Sequence, residues 1–225
     1  MSERLRVLIV DDHQLIAQGV ATALDGEGIE ARVAIGPTRD DVLEAAREAE
    51  PHVVLLDLQI GGEIGSGLDL IRPLSELGAS VIVLTGVTDE AALAECLEAG
   101  AFGLARKSEP FEQLVAKVIA ASRGETVTPA HERFALIDHL RTRRAEDRER
   151  FAPFARLTAR ETEVLAGIID GKQAEVIARD AFVSVATVRS QIRSVLRKLD
   201  VNSQLAAAAL AREVGWNPAR DSVGV

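Results

Sequence analysis

Short runs of apolar, largely β-branched residues recur along the chain at 7–10, 31–35, 53–56, 81–84 and 102–105. Each run is brief and apolar, interrupted by a charge only at Arg32 in the second, the pattern of a strand buried on both faces. Between them, apolar residues return at helical spacing over 15–24, 40–48, 68–77, 90–98 and 111–122. This (βα)5 alternation predicts an α/β, doubly wound domain with a parallel sheet, ending near residue 122.

The pattern then changes. Over 123–156 the periodicity weakens: Thr128-Pro129 predicts the start of a helix with Phe134, Ile137 and Leu140 on one side, and 141–150 is almost entirely charged. Acids and bases alternate there, as on a solvated helix or linker. From 157 to 225 only helical spacing remains, with breaks at Asp170-Gly171, near Phe182-Val183 and at Asp200-Val201. That predicts an all-α domain of four short helices. Ser184 is placed to cap one of them, with Val188, Ile192, Val195, Leu196 and Leu199 on one side and Arg189, Ser190, Arg193 and Arg197 on the other.

The 225 residues are 47% hydrophobic and 27% charged, enough for two ordinary domains with real cores. One cysteine, Cys96, permits neither an internal disulfide nor a thiolate metal cluster and fits a reducing compartment. The opening residues do not read as a signal peptide, and no apolar stretch approaches the roughly 20 residues a membrane span needs. A cytoplasmic location is expected. The net charge of -9 is uneven: residues 1–121 carry 9 Lys+Arg against 21 Asp+Glu, whereas 157–225 carry 9 against 8. Only the second half approaches a polyanion without long-range repulsion.

In an open parallel sheet the ligand crevice lies beyond the carboxyl ends of the strands, where strand order reverses. Asp11 and Asp12 follow the first predicted strand, and Asp57, Thr85 and Lys107 end the third, fourth and fifth. Three converging carboxylates repel one another unless a hard divalent cation lies among them, and all-oxygen ligation suits Mg²⁺. A carboxylate beside Mg²⁺, with a hydroxyl and an ammonium at hand, is equipped to accept a phosphoryl group, Asp57 becoming an acyl phosphate. His13 beside the acid pair is expected to be a surface or hydrogen-bonded histidine, since Mg²⁺ prefers oxygen.

Asp11-Asp12, Leu55-Leu56-Asp57-Leu58, Leu84-Thr85-Gly86 and Gly100-Ala101 through Lys107 resemble the receiver domain of bacterial two-component response regulators over residues 5–122. The resemblance implies Asp57 as phosphoacceptor, with a histidine kinase as donor. It further implies Asp12 as a direct Mg²⁺ ligand, Asp11 acting through water, the Gln59 backbone carbonyl as a third ligand, and Thr85 and Lys107 holding the phosphoryl oxygens. Two features depart from the family. A glycine-rich stretch, residues 60–67, replaces the usual Met-Pro-Gly loop, and Leu104 stands where a Tyr or Phe commonly rotates on activation. Both predict a weakened link between phosphorylation and output.

In the second domain a short helix over 174–180, a tight turn and a longer polar-faced helix have the helix-turn-helix plan. Arg189 and Arg193, one turn apart, and Ser190 suit base edges in a major groove, while Thr187, Arg197 and Lys198 suit phosphates. Periodicity alone equally describes a solvated basic helix face. Leu157-Thr158-Ala159-Arg160-Glu161, Glu163-Val164-Leu165, Gly171-Lys172, Thr187-Val188-Arg189 and Leu196-Arg197-Lys198-Leu199 resemble the LuxR-type DNA-binding domain, and the whole chain resembles the NarL/FixJ family. That resemblance implies double-stranded DNA as a partner and a homodimer on DNA. Ala206 to Ala209 with Leu210 would permit close pairing and equally fit a helix of high intrinsic propensity. Asp200 replaces the family's usual helix-ending Gly.

The reading is therefore a transcription regulator rather than an enzyme. An aspartyl-nucleophile phosphatase of haloacid-dehalogenase type would need a second acid two residues after the nucleophile, where this chain has Gln59. A phosphorylation-independent DNA-binding protein is the other rival.

Overall fold

The computed structural model describes residues 4–34, 36, 38–86 and 88–217. Contacts group the chain into two compact units, Met1–Thr142 and Arg143–Val225.

In the first unit strands and helices alternate: β1 (Arg6–Val10), α1 (Gln14–Gly26), β2 (Glu30–Val33), α2 (Arg39–Ala49), β3 (Val53–Asp57), α3 (Leu68–Glu76), β4 (Ser80–Thr85), α4 (Glu90–Glu98), β5 (Gly103–Arg106) and α5 (Phe111–Ser122). The five strands form one parallel sheet in the order β2-β1-β3-β4-β5. The expected α/β doubly wound architecture is thus present. Of the second predicted strand, Ile35 lies outside the described residues. Alternate strand residues feed two cores, because successive side chains leave a strand on opposite faces. Leu8, Val10, Val54, Leu56, Val81 and Val83 pack with α2, α3 and α4, while Val7, Ile9, Val53, Leu55, Ile82 and Leu84 pack with α1 and α5. Leu8, Ile9, Leu55, Leu56 and Ile82 are almost wholly buried, each worth roughly 1.5–3 kcal/mol of apolar burial.

Residues beyond α5 join these cores. Val127 packs with the α1 and α5 side, and Leu136 and Leu140 of α6 (Ala130–Ala155) with the α4 side. The predicted face of this helix is corrected: Phe134 is 70% exposed, and the buried stripe is Leu136 and Leu140. The charged run 141–150 is helical and exposed throughout.

Among its described residues the second unit packs four helices after the end of α6: α7 (Ala159–Ile169), α8 (Ala174–Asp180), α9 (Val185–Lys198) and α10 (Gln204–Glu213). The starts of α7, α9 and α10 are written in the sequence as caps. The Thr158 and Glu161 side chains form a reciprocal capping box at α7, the Ser184 hydroxyl accepts from Thr187 N at 3.1 Å, and the Ser203 hydroxyl accepts from Ala206 N at 3.1 Å. Val188, Ile192 and Val195 turn inward from α9 as the periodicity predicts. Phe154 and Trp216 stack at 5.5 Å between ring centroids within this unit's core. The alanine stripe of α10 is divided: Ala207 and Ala208 are buried in the domain's own core, so they are not free to pair, while Leu205 and Ala209 face outward.

Candidate functional site

The sheet order reverses between β1 and β3, and the acids gather there. Asp11 and Asp12 follow β1, Asp57 ends β3, and one ligand atom from each, together with one from His13, lies within 4.8 Å of the others. Asp57 is buried at 4% exposure, and the Asp11 side chain is exposed by only 3%. Lys107 directly follows β5, and its side chain places Nζ 2.7 Å from Asp11 Oδ2 and 2.8 Å from Asp57 Oδ2. Burial disfavours the Lys107 ammonium, but its hydrogen bonds to Asp11 and Asp57 outweigh that and raise its pKa. Buried Thr85 ends β4, and its carbonyl accepts from Lys107 N at 3.0 Å. Gln59 N donates to Asp57 Oδ1 at 3.3 Å, and Gln59 lines the adjoining cleft with Asp12, Gly61 and Ser66.

His13 is a hydrogen-bonded surface residue, its Nδ1 2.7 Å from Asp12 Oδ1. Asp12 also accepts from Gly61 N at 2.9 Å, and that bond, ahead of His13, holds its carboxyl below the ordinary value.

The glycine-rich loop is tied at both ends. Besides the Gly61 bond, Gly67 N donates to Leu58 O at 3.0 Å and Leu68 N to the Ser66 hydroxyl at 3.2 Å. Any Cβ at Gly67 would collide with the Asp57 carbonyl oxygen, so only glycine permits this close return beside the acid. Leu104 is half-buried against the α4-side core, and Lys117 Nζ donates to its carbonyl at 3.1 Å.

The donor chemistry of the cluster fits Mg²⁺: three carboxylates supply oxygen alone, and the neighbouring ammonium offsets only part of their charge.

On α9, Thr187, Arg189, Ser190, Arg193 and Arg197 are all exposed. Arg189 meets Glu175 of α8 at 3.0 Å, both side chains being more than half exposed. Such a surface pair is worth about 0–1 kcal/mol, so a stronger anion displaces it readily. Lys198 differs: its Nζ is 2.6 Å from Glu161 Oε2 and 2.8 Å from Arg156 O. Glu161 was missed as a candidate, although Thr158-x-x-Glu161 is a legible capping-box signature. Burial raises the Glu161 pKa, but bonds from Lys198, Thr158 and Ser194 prevail and hold it at about 2.

A parallel sheet with a buried carboxylate at its switch point, followed by a helix-turn-helix unit, defines the response regulators that carry an effector domain for DNA. Family models agree: residues 7–119 match the response regulator receiver domain and 155–211 the bacterial regulatory proteins of the luxR family. Over 212 residues the chain is 32% identical to the transcriptional regulatory protein LiaR of Bacillus subtilis, covering 92% of this chain and 96% of LiaR. It is 33% identical over 207 residues to the nitrate/nitrite response regulator NarP of Escherichia coli, covering 91% and 93%. A structure of RcsB from Salmonella enterica serovar Typhimurium, bound to promoter rprA with the phosphomimetic BeF3-, aligns at TM-score 0.50 and 25% identity over 94% of this chain and 100% of that one. The chain belongs to the NarL-type transcriptional response regulators, with a receiver domain followed by a LuxR-type DNA-binding domain. Among its described residues no helix is long and apolar enough to cross a membrane.

Proposed function

We propose that Asp57 accepts a phosphoryl group from a histidine kinase and that the modified receiver governs sequence-specific DNA binding through α9. The observation that carries this reading is the Lys107 ammonium set between buried Asp57 and Asp11 at the sheet's switch point. An Asp57 carboxylate oxygen attacks phosphorus, the bond to the kinase imidazole breaks, and an acyl phosphate remains on Asp57. Lys107 neutralises a phosphoryl oxygen and the Thr85 hydroxyl donates to another. Asp11, Asp12, Asp57 and the Gln59 backbone carbonyl would hold Mg²⁺, which when bound supplies positive charge for the phosphoryl oxygens.

On DNA, Arg189, Arg193 and Ser190 address base edges, and Thr187 and Arg197 address phosphates. Lys198 is reassigned from phosphate contact to holding α9, because its ammonium is engaged by Glu161 and the Arg156 carbonyl. The protein acts in the cytoplasm as a homodimer on DNA, with Leu205 and Ala209 of α10 the outward residues of the candidate pairing helix. It is a regulator and not a turnover enzyme, Gln59 standing where an aspartyl phosphatase needs its second acid. Leu104, lacking a ring, favours a second reading in which DNA binding is independent of phosphorylation.

Acetyl phosphate with Mg²⁺ tests the assignment by intact mass. The parent gains one phosphoryl group and Asp57→Asn gains none; uptake by Asp57→Asn, or none by the parent, overturns it.

A further inference from the structure

Among the described residues β5 is the last strand of the sheet, so one edge of its backbone has no neighbouring strand. At Leu104 that edge is held from both directions by side chains. Leu104 N donates to the Thr128 hydroxyl at 2.9 Å, and Leu104 O accepts from Lys117 Nζ. Thr128 is itself buried at 4% exposure, and Val127 beside it at 8%. Gly103 marks how close the approach is, since a Cβ there would lie 2.5 Å from Val127 Cβ. Arg133, one turn into α6, reaches the carbonyls of Ala101 and Phe102 at 3.5 Å each. Three residues after α5, Val127, Thr128 and Arg133, where the sequence pattern reads as a linker, therefore grip the strand that ends at the site.

The position of this grip is what gives it meaning. Three residues beyond Leu104, Lys107 bonds Asp57 through its ammonium and Thr85 through its amide. Two residues beyond Thr128, α6 begins and carries the chain toward the DNA-binding domain. We infer that Val127 and Thr128 form a latch on β5 through which the state of Asp57 is passed to α6, Thr128 being a positioning residue for the output. This rests on Asp57 being the phosphoacceptor. When Lys107 moves from Asp57 and Asp11 to a phosphoryl oxygen, the loop and β5 readjust, and the Leu104 amide bound to Thr128 shifts with them. A backbone-to-linker bond can thus do at Leu104 what a rotating ring cannot, because the latch reads the strand and not its side chain.

Amide hydrogen exchange on the full chain, with and without beryllofluoride and Mg²⁺, tests the latch in the parent, Thr128→Val and Thr128→Ser. In the parent, beryllofluoride alters exchange both at the site (peptides containing 57–61 and 107) and over 127–140. In Thr128→Val, which keeps the shape but loses the acceptor, the Leu104 amide exchanges about five- to tenfold faster. The site still responds there, while the response over 127–140 is lost. Thr128→Ser restores it. A response over 127–140 in Thr128→Val equal to the parent's overturns the latch, as does a parent whose site responds while 127–140 does not. No response anywhere in the parent overturns the phosphoacceptor reading, and the latch falls with it. Should Thr128→Val fail to fold, Gly103→Ala, whose methyl presses on Val127, serves in its place: it must accelerate exchange over 127–140 without beryllofluoride, and unchanged exchange refutes the grip.

Discussion

The Lys198 ammonium lies 2.6 Å from the Glu161 carboxylate, tying the last turn of α9 to the first turn of α7. Glu161 is buried at 6% exposure, so the pair is shielded in a way the surface pair Arg189–Glu175 is not. Breaking it leaves a buried charge, which is far costlier than losing a surface contact.

A pH dependence follows. Glu161 titrates at about 2 in the folded protein against an ordinary 4.5. A depressed carboxylate contributes stability that is complete above the ordinary value and disappears as pH falls from 4.5 towards 2. The contribution is about 2 to 3 kcal/mol. Denaturant unfolding of the second domain's transition at pH 7 and pH 3 should show that loss in the parent and a much smaller one in Glu161→Gln.

Much of this architecture is legible in the sequence, and the reasons for the exceptions are physical. Runs such as 53–56 and 81–84 mark strands because burial on both faces demands continuous apolarity, and Ser184 announces α9 because a cap needs a short hydroxyl side chain. The acids and Lys107 are readable as strand-end residues once five strands are recognised. Phe134 falls on the exposed side because Phe134, Ala135, Leu136 and Ile137 are apolar in succession, so helical spacing alone does not choose the buried stripe. The Leu104–Thr128 bond and the Lys198–Glu161 pair join residues 24 and 37 positions apart, and no local period encodes either.

Gly67 should be the intolerant member of the glycine-rich loop. Gly67→Ala forces its methyl onto the Asp57 carbonyl, with a destabilisation of about 1–3 kcal/mol and slowed phosphoryl uptake. Gly62→Ala meets open space and only backbone strain at φ +70°, costing about 1 kcal/mol with uptake largely kept. Thermal unfolding and intact-mass time courses separate the two.

Arg189→Ala should weaken binding to a selected duplex by about 1–3 kcal/mol and relax one base position, while binding to random DNA changes little. Arg197→Ala should weaken both alike and lower the salt slope, whereas Lys198→Ala should act chiefly on unfolding. Titrations across a salt series check all three.

Phe182 adopts φ 55° in the turn before α9 and is 96% exposed, so it carries left-handed strain with almost no burial in return. Phe182→Gly should raise stability by about 0.5–1 kcal/mol, the relief of left-handed strain less the added chain entropy of glycine. A lower midpoint in denaturant would contradict this.

The central claim, that the state of Asp57 sets DNA affinity, is tested most directly with duplexes selected by the protein from a random library. Their affinities are measured at matched salt, with and without beryllofluoride and Mg²⁺. With no aromatic ring at position 104, the coupling is expected near the lower end of allosteric systems, about a fivefold gain in the parent. Asp57→Asn should show no gain. Equal affinities in the parent under both conditions would contradict the claim, and a hundredfold gain would contradict the weak coupling assigned to Leu104.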